Sequence, residues 1–207
     1  MWCLVIGIFS ASLRPAAEVS RRTQELNSAE LIADDLLETV RSKVETATDY
    51  IKCYDNGADV TNKTGSSEGS AIEFGYETEQ GYNAAELLTA DGCGPTKIVI
   101  ADKDSGEQPR VEKGYLVERY YKDGYSQDAD GNPIARAMTK TYAEGFYMGL
   151  RAGLHFKIDE AKHTVTATVT IYRDKDLTDK IYSDSLIIDL RYDIPVKTEV
   201  TATKKPA

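Results

Sequence analysis

Three cysteines, two histidines and one cluster of oxygen ligands are the residues of this chain with chemistry to offer. Cys3 lies in an apolar run, where a thiol behaves as a small hydrophobe. Cys53 and Cys93 stand about forty residues apart, the second inside Asp91-Gly-Cys-Gly-Pro95, a tight-turn sequence. In an oxidising compartment the two could form a disulfide, and closing that loop would stabilise the fold by roughly 3–4 kcal/mol in the chain-entropy picture. Two separate thiols fit the sequence nearly as well. Neither arrangement is a zinc or redox site, because there is no Cys-x-x-Cys and no histidine close by in sequence. Asp128, Asp130 and Asn132 are oxygen ligands of the kind calcium takes, but Pro133 and the missing downstream Glu break the loop spacing. An ordinary Asp-Gly turn accounts for them. His155 falls on the polar side of a strand pattern and His163 in a turn, and neither stands in a recognisable arrangement with Ser, Cys or a carboxylate. No Gly-rich phosphate loop or nucleophile elbow occurs. The expectation is a protein that is not an enzyme and needs no cofactor or metal.

The elements that position these residues are of two kinds. From Glu18 onward Leu26, Ala29, Ala33, Leu36, Leu37, Val40, Val44, Ala47 and Ile51 recur at helical spacing, with Arg21, Arg22, Glu25, Glu30, Asp34, Asp35, Glu38, Arg41 and Lys43 between them. Ahead of them Val5 to Leu13 is apolar on every side. Trp2 to Cys53 therefore reads as one helix, a rod of roughly 75–80 Å, apolar first and amphipathic afterward. The arginines read as its solvated face. The helix is expected to stop near Tyr54, where Asp55-Asn56-Gly57 supplies turn chemistry and Thr61 to Gly69 is a polar, Gly/Ser-rich loop.

Beyond it the pattern is that of short strands. Ala71–Tyr76 alternates, Lys97–Ala101 is a short apolar run, and Tyr115–Tyr121 is rich in β-formers. Asn83–Leu88 reads as a short helical turn and Tyr121–Pro133 as an extended hairpin or surface loop. The last third carries the clearest signal. Leu154, Phe156 and Ile158 alternate, then Val165, Ala167, Val169 and Ile171, then Leu186, Ile188, Leu190 and Tyr192, with polar connectors that predict an antiparallel meander. One apolar sheet face needs a cover, and the helix stripe from Leu26 to Ile51 supplies it. The fold class is thus α+β, a long helix laid on an antiparallel sheet. The segments are 1–17, the apolar membrane or assembly helix; 18–54, its amphipathic continuation; 55–195, the β-rich domain; and 196–207, a frayed Thr/Lys-rich tail. Thirteen Tyr against four Phe and one Trp suit half-exposed strands whose rings pack while their hydroxyls reach water. The net charge of −9 argues against a nucleic-acid surface, which needs clustered Lys and Arg.

At the start of the chain Gly7-Ile8-Phe9 is followed, eight residues after the Gly, by Pro15-Ala16. In this the sequence resembles the N-terminal helix of the type IV pilin and pseudopilin family. The resemblance covers the first quarter of the chain closely and the order of elements in the rest loosely. The family's basic leader, its cleavage-point Gly and its early Glu do not appear in the written sequence, so the reading expects the true start to lie upstream of Met1. What the resemblance implies is a pilin-like fold and a structural subunit, a minor pilin, of a bacterial pilus or pseudopilus. Its assembly helix would run through Trp2, Leu4, Val5, Ile6, Gly7, Ile8, Phe9 and Leu13 to Pro15. Its partners would be other pilin-like subunits, and the membrane before assembly, with the β-domain extracytoplasmic in the cell envelope. Trp2 to Leu13 would cover only about 18 Å of a hydrocarbon core roughly 30 Å thick. Two other readings stay open. The run could be the h-region of a signal peptide, although no basic n-region precedes it, or the chain could be a membrane-anchored extracellular module that binds a ligand and does not polymerise.

Overall fold

Helix α1, Trp2–Val44, is the longest element, 43 residues or about 65 Å at the α-helical rise. The computed structural model describes residues 2–55, 58–61, 66–78, 81–89, 113–121, 126–127, 133–134 and 137–191. From Ala16 to Val44 the sequence has neither Gly nor Pro, and Arg41 and Lys43 in the last turn offset the negative end of the helix dipole. Its buried stripe is Ala29, Ile32, Ala33, Leu36, Leu37, Val40 and Val44, spaced three and four apart. Leu26, expected to open that stripe, is exposed.

The helix ends well before Tyr54. Thr46 turns its hydroxyl back onto Lys43 O (2.7 Å), and the N–H groups of Thr48 and Asp49 both donate to Gly75 O at 3.0 Å. Backbone donors that would have continued the helix are thereby given to a strand. Ile51–Asp55 is strand β1, paired antiparallel with β4, Ala71–Thr78, so that Ile51 faces Phe74 and Cys53 faces Ile72. Val44, Ala47 and Ile51 are all fully buried, because their spacing suits a turn followed by a strand as well as one more helical turn. The β-branched Thr46 and Thr48 and the turn-forming Asp49 weaken the helix here, and the bonds to Gly75 O decide between the two.

The remaining strands are β2 (Ala58–Asp59), β3 (Ser66–Gly69), β5 (Gly81–Thr89), β6 (Leu116–Tyr121), β7 (Ser126–Gln127), β8 (Pro133–Ile134), β9 (Ala137–Thr141), β10 (Arg151–Asp159), β11 (Thr164–Tyr172) and β12 (Lys180–Asp189), with a short helix α2 at Glu144–Tyr147. They form a six-stranded sheet in the order β2-β1-β4-β5-β6-β9 and a four-stranded sheet in the order β12-β11-β10-β3. The pair β7-β8 stands apart, as the hairpin reading of this region anticipates. Every pairing is antiparallel. The β10-β11-β12 meander is the one predicted. Two segments differ from expectation. Asn83–Leu88 belongs to β5, whose Ala, Glu and Leu favour a helix locally but are held between β4 and β6 by ladders on both sides. Ser66–Gly69 is not loop but β3, an added strand beside β10.

One core joins helix and both sheets. Strand β11 turns Val165, Ala167, Val169 and Ile171 inward, and β10 turns Ala152, Leu154, Phe156 and Ile158 to the same face. Helix α1 covers this face over β11 and β12, while β1, β4 and β5 of the six-stranded sheet meet β10 and β3. The expected single cover is therefore shared between the helix and a second sheet. The tyrosines also go further inside than expected. Tyr147 is fully buried, stacks on Tyr115 with centroids 4.3 Å apart, and takes the Leu116 N–H on its hydroxyl at 2.7 Å. Burial pushes its pKa up.

The connector from β11 to β12 is built on one carboxylate. Asp174 accepts the N–H of Asp179 (2.7 Å), the Thr178 hydroxyl (2.7 Å) and the Thr178 N–H. These bonds, the Asp179 N–H first and the Thr178 hydroxyl next, bring its pKa down to about 2. Because the folded value lies below the ordinary 3.8, this contribution to stability is complete above about pH 4 and fades as the pH falls toward 2. A carboxyl-carbon NMR titration should place the Asp174 midpoint near 2, and Asp174→Asn should remove that part of the acid dependence.

Candidate functional site

The residues expected to assemble, Trp2, Leu4, Val5, Ile6, Gly7, Ile8, Phe9 and Leu13, all lie on the helical backbone of α1, and their side chains fall outside the described residues. Pro15 sits inside the same helix and is exposed. The helix continues through it, with one ladder hydrogen bond fewer. Residues 15–24 are exposed on every side, with Val19 at 65%, and from Pro15 onward the first fully covered residue is Ala29. Two stretches of one rod are thus treated differently. Its C-terminal half is packed in the domain, and its middle stands free. Arg22 lies 2.6 Å from Glu18, and Arg41 pairs with Glu38 and Glu45, in line with a solvated face. Among the described residues no helix is long and apolar enough to cross a membrane.

The packed half is pinned along its length. Arg173, just past β11, holds Glu25 through two bonds of 2.7 and 3.2 Å, and Arg191, just past β12, holds Glu45 at 2.5 and 2.8 Å. The helix thus runs alongside β12 in the same direction. Toward the six-stranded sheet, Lys43 donates to the Tyr120 hydroxyl (2.7 Å) and lies 3.0 Å from the buried Glu118 carboxylate, to which Tyr120 also donates. The bond to Tyr120, reinforced by Glu118, raises the Lys43 pKa against the opposing effect of burial. Farther along, Thr39 and Tyr142 share a 2.7 Å hydroxyl bond.

Two polar features lie beside this joint. Asp35, Glu38, Thr39 and Ser42 of α1, with Tyr142 and Phe146, line a shallow groove of about 330 Å³. On the far face of the six-stranded sheet, Lys52, Glu73, Glu86 and Arg119 face one another in register across β1, β4, β5 and β6, and all four are buried. Arg119 lies 3.8 Å from Glu86, and the Tyr50 hydroxyl donates to Glu73 at 2.5 Å. Burial and then the Glu73 charge push the Tyr50 pKa up. Two cations and two anions in one buried row make a compensated internal network rather than an open cleft. No single strand announced it. Each contributes one charge beside an apolar residue of the same face, Tyr54, Ala71, Leu88 or Val117, and only the register brings the charges together.

Cys53, expected at a helix end, lies fully buried in β1 with its sulfur 4.0 Å from Phe156 O. Cys93, and with it the proposed bridge, falls outside the described residues, as do Asp128, Asp130, Asn132 and Lys97–Ala101. His155 is exposed on β10 and His163 sits in the β10–β11 turn with φ 53°. Among the described residues no three His, Cys, Asp or Glu side chains come together as metal ligands. The fold and this helix define an α+β protein with one long, half-packed helix. No protein-family model, curated protein or solved structure matches the chain.

Proposed function

We propose that this chain is a structural subunit of a type IV pilus-like or pseudopilus filament, a minor pilin whose helix packs among those of its neighbours. The observation that supports the reading is the division of α1. Its C-terminal half is buried on an antiparallel sheet, its 15–24 stretch is exposed all round, and the all-round apolar run of Val5 to Leu13 lies ahead. A helix apolar on every side calls for lipid or other helices, since monomers seldom expose more than a few hundred Å² of contiguous apolar surface. In this reading the membrane holds the subunit before assembly and the β-domain faces outward from the cell envelope.

The second reading, a membrane-anchored module that binds a ligand without polymerising, draws on the groove of Asp35, Glu38, Tyr142 and Phe146. Deletion of residues 1–20 separates the two. The buried stripe of α1 from Ala29 to Val44 and the Glu25–Arg173 pair survive the deletion, so the domain should stay folded, soluble and monomeric. In the native host it should no longer cross-link to pilin-like subunits, whereas the intact exported protein should. An intact protein that remains monomeric in membranes and cross-links to no such subunit would favour the anchored module.

A further inference from the structure

Strand β12 is ten residues long and forms the rim of the four-stranded sheet, with β11 on one side and, among the described residues, no strand on the other. The Ser185 N–H donates to Asp184 Oδ1 at 2.7 Å, so it points away from β11 to the free edge. By strand alternation Ser183 and Ile187 present their N–H and C=O groups on the same side. Ile187 is 67% exposed beside them. Ser183 and Ile187 offer open backbone groups on either side of the Ser185 N–H that Asp184 holds, and with an apolar neighbour they make a template for one more strand.

Charge decides which strand. Asp184 stands opposite Val169, between Tyr182 and Leu186, on the inward-facing set of β12. Asp184 is nonetheless exposed, and its carboxylate reaches the rim to hold the Ser185 N–H, where a charge discourages indiscriminate pairing. Helix α1 lies along β12, and Glu30 and Asp34 on it join Asp184 in acting on Tyr182, whose pKa is raised by burial first and then by these three charges. The Arg173–Glu25 pair closes this seam at one end and Arg191–Glu45 at the other. The three acids between those ends are in no ion pair among the described residues. A second copy laid antiparallel on β12 would set these acids against their own duplicates, in a chain whose net charge is already −9.

We propose that the free edge of β12 is a strand-addition site for an extended segment of another protein that brings a Lys or Arg beside Asp184, Glu30 and Asp34. Backbone bonds along the edge supply the adhesion, and the acids supply the choice of partner. This assignment does not depend on filament assembly.

The test is amide hydrogen exchange of the full chain with a short peptide of alternating Val and Thr carrying a central Lys, and with its twin carrying a central Glu. The Lys peptide should slow exchange at Ser183 and Ile187, whose N–H groups are open, and the Glu peptide should not. Asp184→Asn should weaken the Lys peptide by about three- to fivefold, the size of one partly exposed ion pair. Equal protection by both peptides, protection by neither at saturating concentration, or unchanged affinity in the Asp184→Asn variant would each overturn the proposal.

Discussion

Replacing Leu36 by Asp should lower the stability of the domain by about 5 kcal/mol, enough to erase a cooperative melt from a fold of ordinary stability. Leu36 is fully buried in the core that α1 shares with both sheets. The substitution gives up roughly 2–3 kcal/mol of apolar burial and puts a carboxylate where no compensating charge was provided. Leu31→Asp is its control. Leu31 lies five positions earlier on the same helix but is 62% exposed, so that variant should stay within about 0.5 kcal/mol of the parent. Thermal melts followed by circular dichroism compare the two directly. If Leu36→Asp melted like Leu31→Asp, the helix would not be packed on the sheets, and the division of α1 that supports the filament reading would go with it.

What the sequence disclosed depended on how local the deciding force was. The meander of β10, β11 and β12 was legible because alternation along each strand reports a one-sided sheet, and Thr164 to Tyr172 alternates without interruption. The stripe from Ala29 to Val44 was legible for the same reason at helical period. The end of the helix was not, since Val44, Ala47 and Ile51 satisfy helix and turn-plus-strand alike, and the choice rests on bonds to Gly75, distant in sequence. Strand β5 was misread because Ala84, Ala85, Glu86 and Leu87 prefer a helix until neighbours on both sides supply ladders. The second sheet as a cover, the buried row of Lys52, Glu73, Glu86 and Arg119 and the Lys43–Glu118–Tyr120 joint all need register, which no segment carries alone. Of the candidate site, residue types marked the apolar run and Pro15, while the free stretch at 15–24 emerged only when the domain's limits on the helix were known.

Gly69→Ala should cost about 2–3 kcal/mol although it adds a single methyl group, because the space it needs is occupied by backbone. Gly69 ends β3 opposite Phe156, and Ser70 alone separates it from β4, so here the chain leaves the four-stranded sheet and enters the six-stranded one. A Cβ on Gly69 would stand 2.2 Å from the Tyr54 carbonyl oxygen and 3.0 Å from the Cys53 sulfur. A flexible side chain could swing aside, but the carbonyl belongs to β1, which the ladder to β4 fixes through Tyr54 and Ala71. Relief therefore requires the two sheets to separate, loosening Phe156 and Ile72 in the core between them. The requirement is for room and not for an unusual backbone angle, since the positive-φ glycines among the described residues are Gly114 and Gly149. Gly145→Ala provides the contrast. Nothing lies within 4 Å of its would-be Cβ, and it sits in α2, where Ala should leave stability unchanged or raise it by up to about 1 kcal/mol. Urea unfolding with an unchanged slope measures both shifts. Equal midpoints for the two variants would mean that β1 and β3 do not approach as described, and that the six-stranded sheet is not the second cover of the core.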